Sequence, residues 1–402
     1  MTASPFANVE LAPRDPILGL TEAFVADTNP SKVNLGVGVY NDDTGKLPLL
    51  RCVQVAERQV TEKSLSKGYL PIDGLSAYDR AVQSLVFGAN AQATKDGRIA
   101  TIQALGGTGG LKVGADFLRR LYPSAEVYIS DPSWENHRAL FEGAGFKVNT
   151  YPYYDAQTHG VRFDAMVQTL QGLPRGAIVV LHACCHNPTG VDLSVAQWSK
   201  IVEVVKAADL VAFLDMAYQG FGDGLEADRT AVQKFLDSGL SFTVSTSFSK
   251  SFSLYGERVG GLSIVTASKD EADRVLSQLK RVIRTNYSNP PTHGAQIVAT
   301  VLASPELRTM WEEELAEMRD RIKRMRTLFV EELKANGVKR DFSFVMQQRG
   351  MFSYSGLDPT TVERLRKEYA IYAINTGRIC VAALNTKNIG YVTRAIAKVL
   401  GG

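Results

Sequence analysis

Six short, almost uninterrupted apolar runs, at residues 100–105, 127–130, 178–181, 210–214, 242–245 and 261–265, constrain this chain most. Between most of them lie stretches with helical spacing of apolar residues. Such runs are what strands buried on both faces require, so the pattern predicts an α/β fold with a large, mostly parallel sheet. Five of the runs end in residues able to do chemistry: Gly106–Gly110, Asp131–His137, His182–Gly190, Asp215–Tyr218 and the approach to Lys250. Ligands of open α/β sheets bind at the carboxyl ends of the strands, so these five ends predict one shared site.

The stretch 243–262 is the most informative of them. It sets Lys250 among Ser247, Ser249 and Ser251, with Arg258 eight positions on and Gly260-Gly261 behind it. Hydroxyls and an arginine fork suit a phosphate group. A lysine amine kept neutral by its surroundings condenses with carbonyls. Together they suit a phosphorylated aldehyde carried on an amine. Residues 106–110 predict a tight glycine turn feeding a helix over 111–121, whose free N–H groups would face an anion. The spacing fails the dinucleotide fingerprint, because Lys112 stands where a third glycine is needed. No Gly-Lys-Ser/Thr follows, so the nucleotide P-loop fails as well.

The 402 residues are long for one core and predict two domains. A net charge of +3 leaves no footprint for nucleic acid or a membrane surface, and no apolar run reaches spanning length. Cys52, Cys184, Cys185 and Cys380 form no disulfide framework, which predicts a reduced, cytoplasmic protein, and an N-terminus with Glu10 and Asp15 and no apolar segment predicts no leader. His182 and His186 are four apart, but Asn187-Pro188 breaks the helix that a zinc site of that spacing needs, so no metal is expected. Residues 1–14 read as an arm, and 16–25 as a helix with Pro16 in its first turn. Residues 33–40 read as extended. A long helix over 304–336 joins a large domain (48–318) to a small α+β domain (15–47 plus 319–402).

Taken together, Ser247-Phe248-Ser249-Lys250 with Arg258, Asn187-Pro188-Thr189-Gly190, Asp215-x-x-Tyr218 and Gly377-Arg378 resemble the class I aminotransferases of the aspartate and aromatic-amino-acid group, over essentially the whole chain. The resemblance implies fold type I and pyridoxal 5'-phosphate as cofactor. It implies that Lys250 binds the cofactor aldehyde and moves the substrate proton. Asp215, backed by His137, would pair with the pyridine nitrogen. Tyr218 and Asn187 would donate to the phenolic oxygen. Gly107, Thr108, Ser247 and Arg258 would form the phosphate cup, with Ser249 able to join it, and Trp134 would stack on the ring. Arg378 would clamp the substrate α-carboxylate, and Gly38 would lie over the substrate with its backbone exposed. Tyr69 and Arg284 would reach the site of a neighbouring subunit, implying a homodimer with shared sites. Asp131-Pro132 and Asn187-Pro188 would be cis.

Arg284 suits a distal carboxylate and is useful for 2-oxoglutarate whichever amino acid is used. Cys380 stands where aspartate aminotransferases usually carry Asn, and Ala383 departs from the glycine usual in both groups. The resulting expectation is an enzyme that moves the amino group of tyrosine, phenylalanine and aspartate to 2-oxoglutarate by ping-pong chemistry. Alternatives are an aspartate aminotransferase proper, and a non-catalytic amino-acid-sensing module on the same fold.

Overall fold

The computed structural model describes residues 4–12 and 17–401. Seven strands form the central sheet: β1 (Ile99–Leu105), β2 (Glu126–Asp131), β3 (Lys147–Pro152), β4 (Ile178–His182), β5 (Val211–Met216), β6 (Phe242–Ser247) and β7 (Val259–Val265). Their order across the sheet is β1-β7-β6-β5-β4-β2-β3. Neighbours β6 to β3 pair in parallel, whereas β7 runs antiparallel to both β1 and β6. The all-buried residues of β6 and β7 explain why hydrophobicity alone did not reveal the reversal: both faces are covered whichever way a strand runs.

The glycine segment differs from the expected turn. Helix begins at Gly106 itself and runs to Leu121. Gly106 has φ +69°, and a Cβ there would lie 2.4 Å from Nη2 of Arg258. The glycines therefore do more than turn the chain: they let the helix start press against its neighbours. Ser245 Oγ donates to the Gly107 carbonyl at 3.0 Å and ties this start to β6.

The long helix spans Pro305–Ala335, capped by the Ser304 hydroxyl, which accepts from the Leu307 amide. Its buried stripe includes Trp311, Leu315, Met318, Ile322 and Phe329, the spacing of one helical face. Residues 33–40 are less regular than expected, with strand geometry only at Val33–Asn34. These two residues pair in parallel with Ile371–Tyr372 and so join the N-terminal segment to the C-terminal part. Further on, β8 (Phe352–Tyr354) and β9 (Arg378–Cys380) form an antiparallel ribbon with Phe352 opposite Cys380 and Tyr354 opposite Arg378. The first helix runs Leu18–Ala26, and the expected Pro16 start lies outside the described residues. In the arm, Phe6, Val9 and Leu11 are exposed. No helix among the described residues is long and apolar enough to cross a membrane.

Candidate active site

The carboxyl ends of the strands and the β8–β9 ribbon enclose a cavity of about 600 Å³. Twelve of the residues expected from the sequence line it: Gly38, Gly107, Thr108, Trp134, Asn187, Asp215, Tyr218, Ser247, Ser249, Lys250, Arg258 and Arg378. His137 sits behind Asp215. Tyr69, 96% exposed, and Arg284, exposed on the helix Lys269–Asn286, do not line it.

Asp215 ends β5 in the sheet interior. Burial alone would raise its pKa. The hydrogen bond and charge of His137, with His182 and Lys250 nearby, overcome this and hold the carboxyl below its usual value. His137 Nε2 meets Asp215 Oδ2 at 2.8 Å, and its Nδ1 meets Ser133 Oγ at 2.9 Å. The result is a buried carboxylate that stays ionised and is oriented by a buried imidazole.

Lys250 follows β6 in the turn that the sequence marked with serines. Burial pulls its amine down to about 8; Asp215 opposes that shift and Arg258 adds to it. About a tenth of such amines are neutral at pH 7, against fewer than about one in a thousand for an ordinary lysine. Nζ lies 5.3 Å from the centre of the Tyr218 ring. Burial raises the Tyr218 phenol, so it keeps its proton and can donate.

Anion-binding groups form another part of the lining. Arg258, itself at φ +55°, directs Nη1 to the Tyr255 carbonyl at 2.9 Å and to Ser249 Oγ at 3.3 Å. Beside it lie buried Ser247 and the start of the helix Gly106–Leu121, whose first-turn N–H groups have no acceptor within the helix. Charge and dipole both favour an anion here.

Arg378, 1% exposed, reaches in from β9. Its Nη2 donates to the Gly36 carbonyl at 2.6 Å and its Nη1 to Asn187 Oδ1 at 3.2 Å. Nε has no partner among the described residues. Because the Asn187 oxygen is engaged by Arg378, its amide NH2 is left for the cavity. Asp131-Pro132 and Asn187-Pro188 are both cis.

Phe352 and Tyr255 line the cavity without having been singled out in the sequence, and His182 was singled out without a role there. Phe352 packs its ring 4.4 Å from the Arg378 guanidinium and edge-on to Tyr218. Tyr255 accepts from the Tyr40 amide at 3.0 Å and so anchors the segment above the cavity. His182 is buried between His137 and His186, with neither ring nitrogen partnered among the described residues. Burial and the other two imidazoles push it well below the usual range, so it is neutral. Phe352 and Tyr255 could have been flagged only as aromatics close to stronger motifs. Gly38 is at the cavity as expected, and packing gives a reason for the absence of a side chain. A Cβ there would fall 2.6 Å from Phe352 Cζ.

The family model "Aminotransferase class I and II" matches residues 30–396. An aspartate aminotransferase of Pseudomonas aeruginosa is 64% identical over 99% of this chain and 100% of its own length. An aromatic-amino-acid aminotransferase of Escherichia coli is 50% identical over 98% and 100%. The crystal structure of an aromatic-amino-acid aminotransferase from Burkholderia pseudomallei, covalently bound to pyridoxal phosphate, is similar with a TM-score of 0.97. It is 67% identical, covering 99% of this chain and 100% of that one. With an amine of lowered pKa, a buried aspartate–histidine pair and an arginine at the anion end sharing one cavity, this chain belongs to the class I and II aminotransferases.

Proposed function

We propose that this protein transfers the amino group of tyrosine, phenylalanine and aspartate to 2-oxoglutarate, with pyridoxal phosphate as cofactor, in a ping-pong cycle. The observation that carries the reading is one cavity that brings together Lys250, its amine lowered to about 8, the ionised Asp215, Arg258 and the start of the helix Gly106–Leu121. The residues present fit the cofactor. Arg258, Ser247, Gly107 and Thr108 would hold its phosphate, with Ser249 beside them. Asp215 would hold its ring nitrogen, Tyr218 and the Asn187 amide its phenolic oxygen, Lys250 its aldehyde, and Trp134 the face of its ring. When bound, the group supplies an electron sink for the pair left as the substrate α-proton departs.

The chain's own groups do the rest. Arg378 binds the α-carboxylate with its guanidinium and fixes the α-carbon over the site. Lys250 Nζ, neutral in part near pH 7, accepts the α-proton and redelivers it. Asp215 keeps a proton on the ring nitrogen because His137 keeps the carboxylate ionised. Phe352 and Trp134 offer apolar surface to an aromatic side chain.

The molecule is a two-domain homodimer in this reading, with a large domain over 48–318 and a small one from 15–47 plus 319–402. Tyr69 and Arg284 are exposed and do not line their own cavity, and a second copy would bring them to its partner's, Arg284 meeting the distal carboxylate. Exposed Phe6, Val9 and Leu11 offer apolar surface for the same contact. A cytoplasmic location fits four buried free cysteines.

An aspartate aminotransferase proper is the second reading, favoured by the name of the 64% identical relative. A single-turnover spectrum decides. Aspartate or phenylalanine is added separately to the protein loaded with pyridoxal phosphate, without keto acid. Loss of the visible band with both amino acids is expected. Loss with aspartate alone overturns the aromatic half, and absence of the band overturns the role of Lys250.

A further inference from the structure

Arg326, on the long helix, is among the largest fully buried side chains, at 2% exposure, and every hydrogen-bond acceptor it uses is uncharged. Its Nη1 donates to the Val345 carbonyl at 3.2 Å and closely to Ser353 Oγ. Its Nη2 donates to the carbonyls of Gly350 and Phe352, each at 2.7 Å. Burial lowers its pKa only to about 10, so it stays charged at neutral pH. A desolvated cation without a directly bound carboxylate is costly, and an apolar side chain would fill the space at less expense. What only a guanidinium supplies is a rigid fork that holds several oxygens at once.

The gripped oxygens belong to the segment leading into β8, at Val345 and Gly350, and to β8 itself, at Phe352 and Ser353. Other contacts hold the remaining sides of this segment. The Arg349 amide donates to the Gly190 carbonyl at 2.6 Å, and the Val381 amide to the Met351 carbonyl at 2.8 Å. The carbonyls of 350 and 352 are taken by Arg326. Fixing the Phe352 carbonyl fixes the direction in which its side chain leaves the backbone. That side chain lies against Gly38, over Arg378 and edge-on to Tyr218.

We propose that Arg326 is a positioning residue for substrate selection: by holding the backbone of Phe352 it sets the apolar wall on which an aromatic substrate side chain packs. The proposal rests on the reading of the cavity as one that accepts both aromatic and dicarboxylic amino acids. A dicarboxylate uses Arg378 and a distal cation and gains little from the wall, whereas an aromatic ring uses it directly. The two classes should therefore respond unequally.

The test uses the holoenzyme with Arg326→Lys, which keeps the charge and loses the fork. Calorimetry measures the Kd of 3-phenylpropionate and of succinate, which carry the ring or the second carboxylate but no amino group. The kcat/KM values for phenylalanine and aspartate are measured alongside. We expect 3-phenylpropionate to weaken about tenfold and succinate less than about threefold, the scale of one aromatic packing contact. The visible band and its midpoint pH should not move. On a Phe352→Leu background, Arg326→Lys should add less than about twofold, since the wall is already gone. Equal weakening of both ligands, no weakening of either, or a full further loss on the Phe352→Leu background overturns the proposal. If Arg326→Lys does not fold, Ser353→Ala removes one of the four acceptors and should bring the same ratio shift at smaller size; no shift overturns it. Failure of the wild type to turn over phenylalanine would sink the substrate reading instead, and the variant-to-wild-type ratio of Kd values still reports on Arg326.

Discussion

Replacing Gly38 with alanine puts a methyl group 2.6 Å from Phe352 Cζ and 3.3 Å from Cε1. Carbon atoms in contact sit about 3.5–4.0 Å apart, so one side must recede by about 1 Å. Neither side is free to do so. The ring is backed by Arg378 and Tyr218, and its backbone by Arg326. The segment bearing Gly38 is tied at Gly36 by Arg378, at Leu35 by the Cys380 amide and at Tyr40 by Tyr255. Forcing one extra carbon into such a place costs about 1–3 kcal/mol, or about fivefold to over a hundredfold in an equilibrium. Because the strain falls on both Arg378 and Phe352, the loss should fall on kcat/KM for phenylalanine and aspartate alike. Stopped-flow half-reactions measure it, with the visible band as the control for cofactor loading. Adding Phe352→Leu, which removes Cζ, should restore most of the aspartate rate. If the single variant stays within about twofold of wild type, the packing argument is refuted. If the double variant is no better than the single, the methyl group clashes with substrate instead, and the glycine serves close approach of backbone to ligand.

Two further predictions concern protonation. In the cofactor-free protein, Lys250 should react with an amine-specific reagent with a midpoint near pH 8, well below the bulk lysines; peptide mapping across pH reads this directly, and a midpoint near 10.5 would remove the basis for its reactivity. Asp79 is raised to about 8 from its ordinary 3.8, chiefly by burial, with Asp73 adding to the shift. The folded state therefore holds a proton that the unfolded chain releases, so this group's contribution is fully present below about pH 4 and is lost as pH rises toward 8. The ceiling on that loss is about 6 kcal/mol; with Arg80 and Lys280 close by, Asp79→Asn should gain about 1–2 kcal/mol at pH 8 and nothing at pH 4. Urea unfolding at the two pH values tests it, and an equal effect at both would contradict the sign.

Much of this protein could be read from local pattern. The runs at 127–130, 178–181 and 242–245 became strands in place because a parallel sheet buries every side chain, and such runs are legible wherever they stand. The helix expected over 304–336 lies at Pro305–Ala335 because periodicity, a serine cap and a first-turn proline agree. Lys250 was visible because it follows a strand end among serines, Asp215 because it closes an apolar run, and Arg258 because it stands eight positions after Lys250 and just before Gly260-Gly261. The reversal of β7, the reason for Gly38 and the grip of Arg326 on the Phe352 backbone were not. His137 was tied to Asp215 only through a family resemblance, since 78 residues separate the two. Gly38 and Phe352 are more than 300 positions apart. Strand and helix are decided by neighbours in the chain, so the sequence by itself determines them. Which side chains share a cavity, and which glycine must stay bare, depends on how finished elements pack, and only the tertiary structure brings those residues into contact.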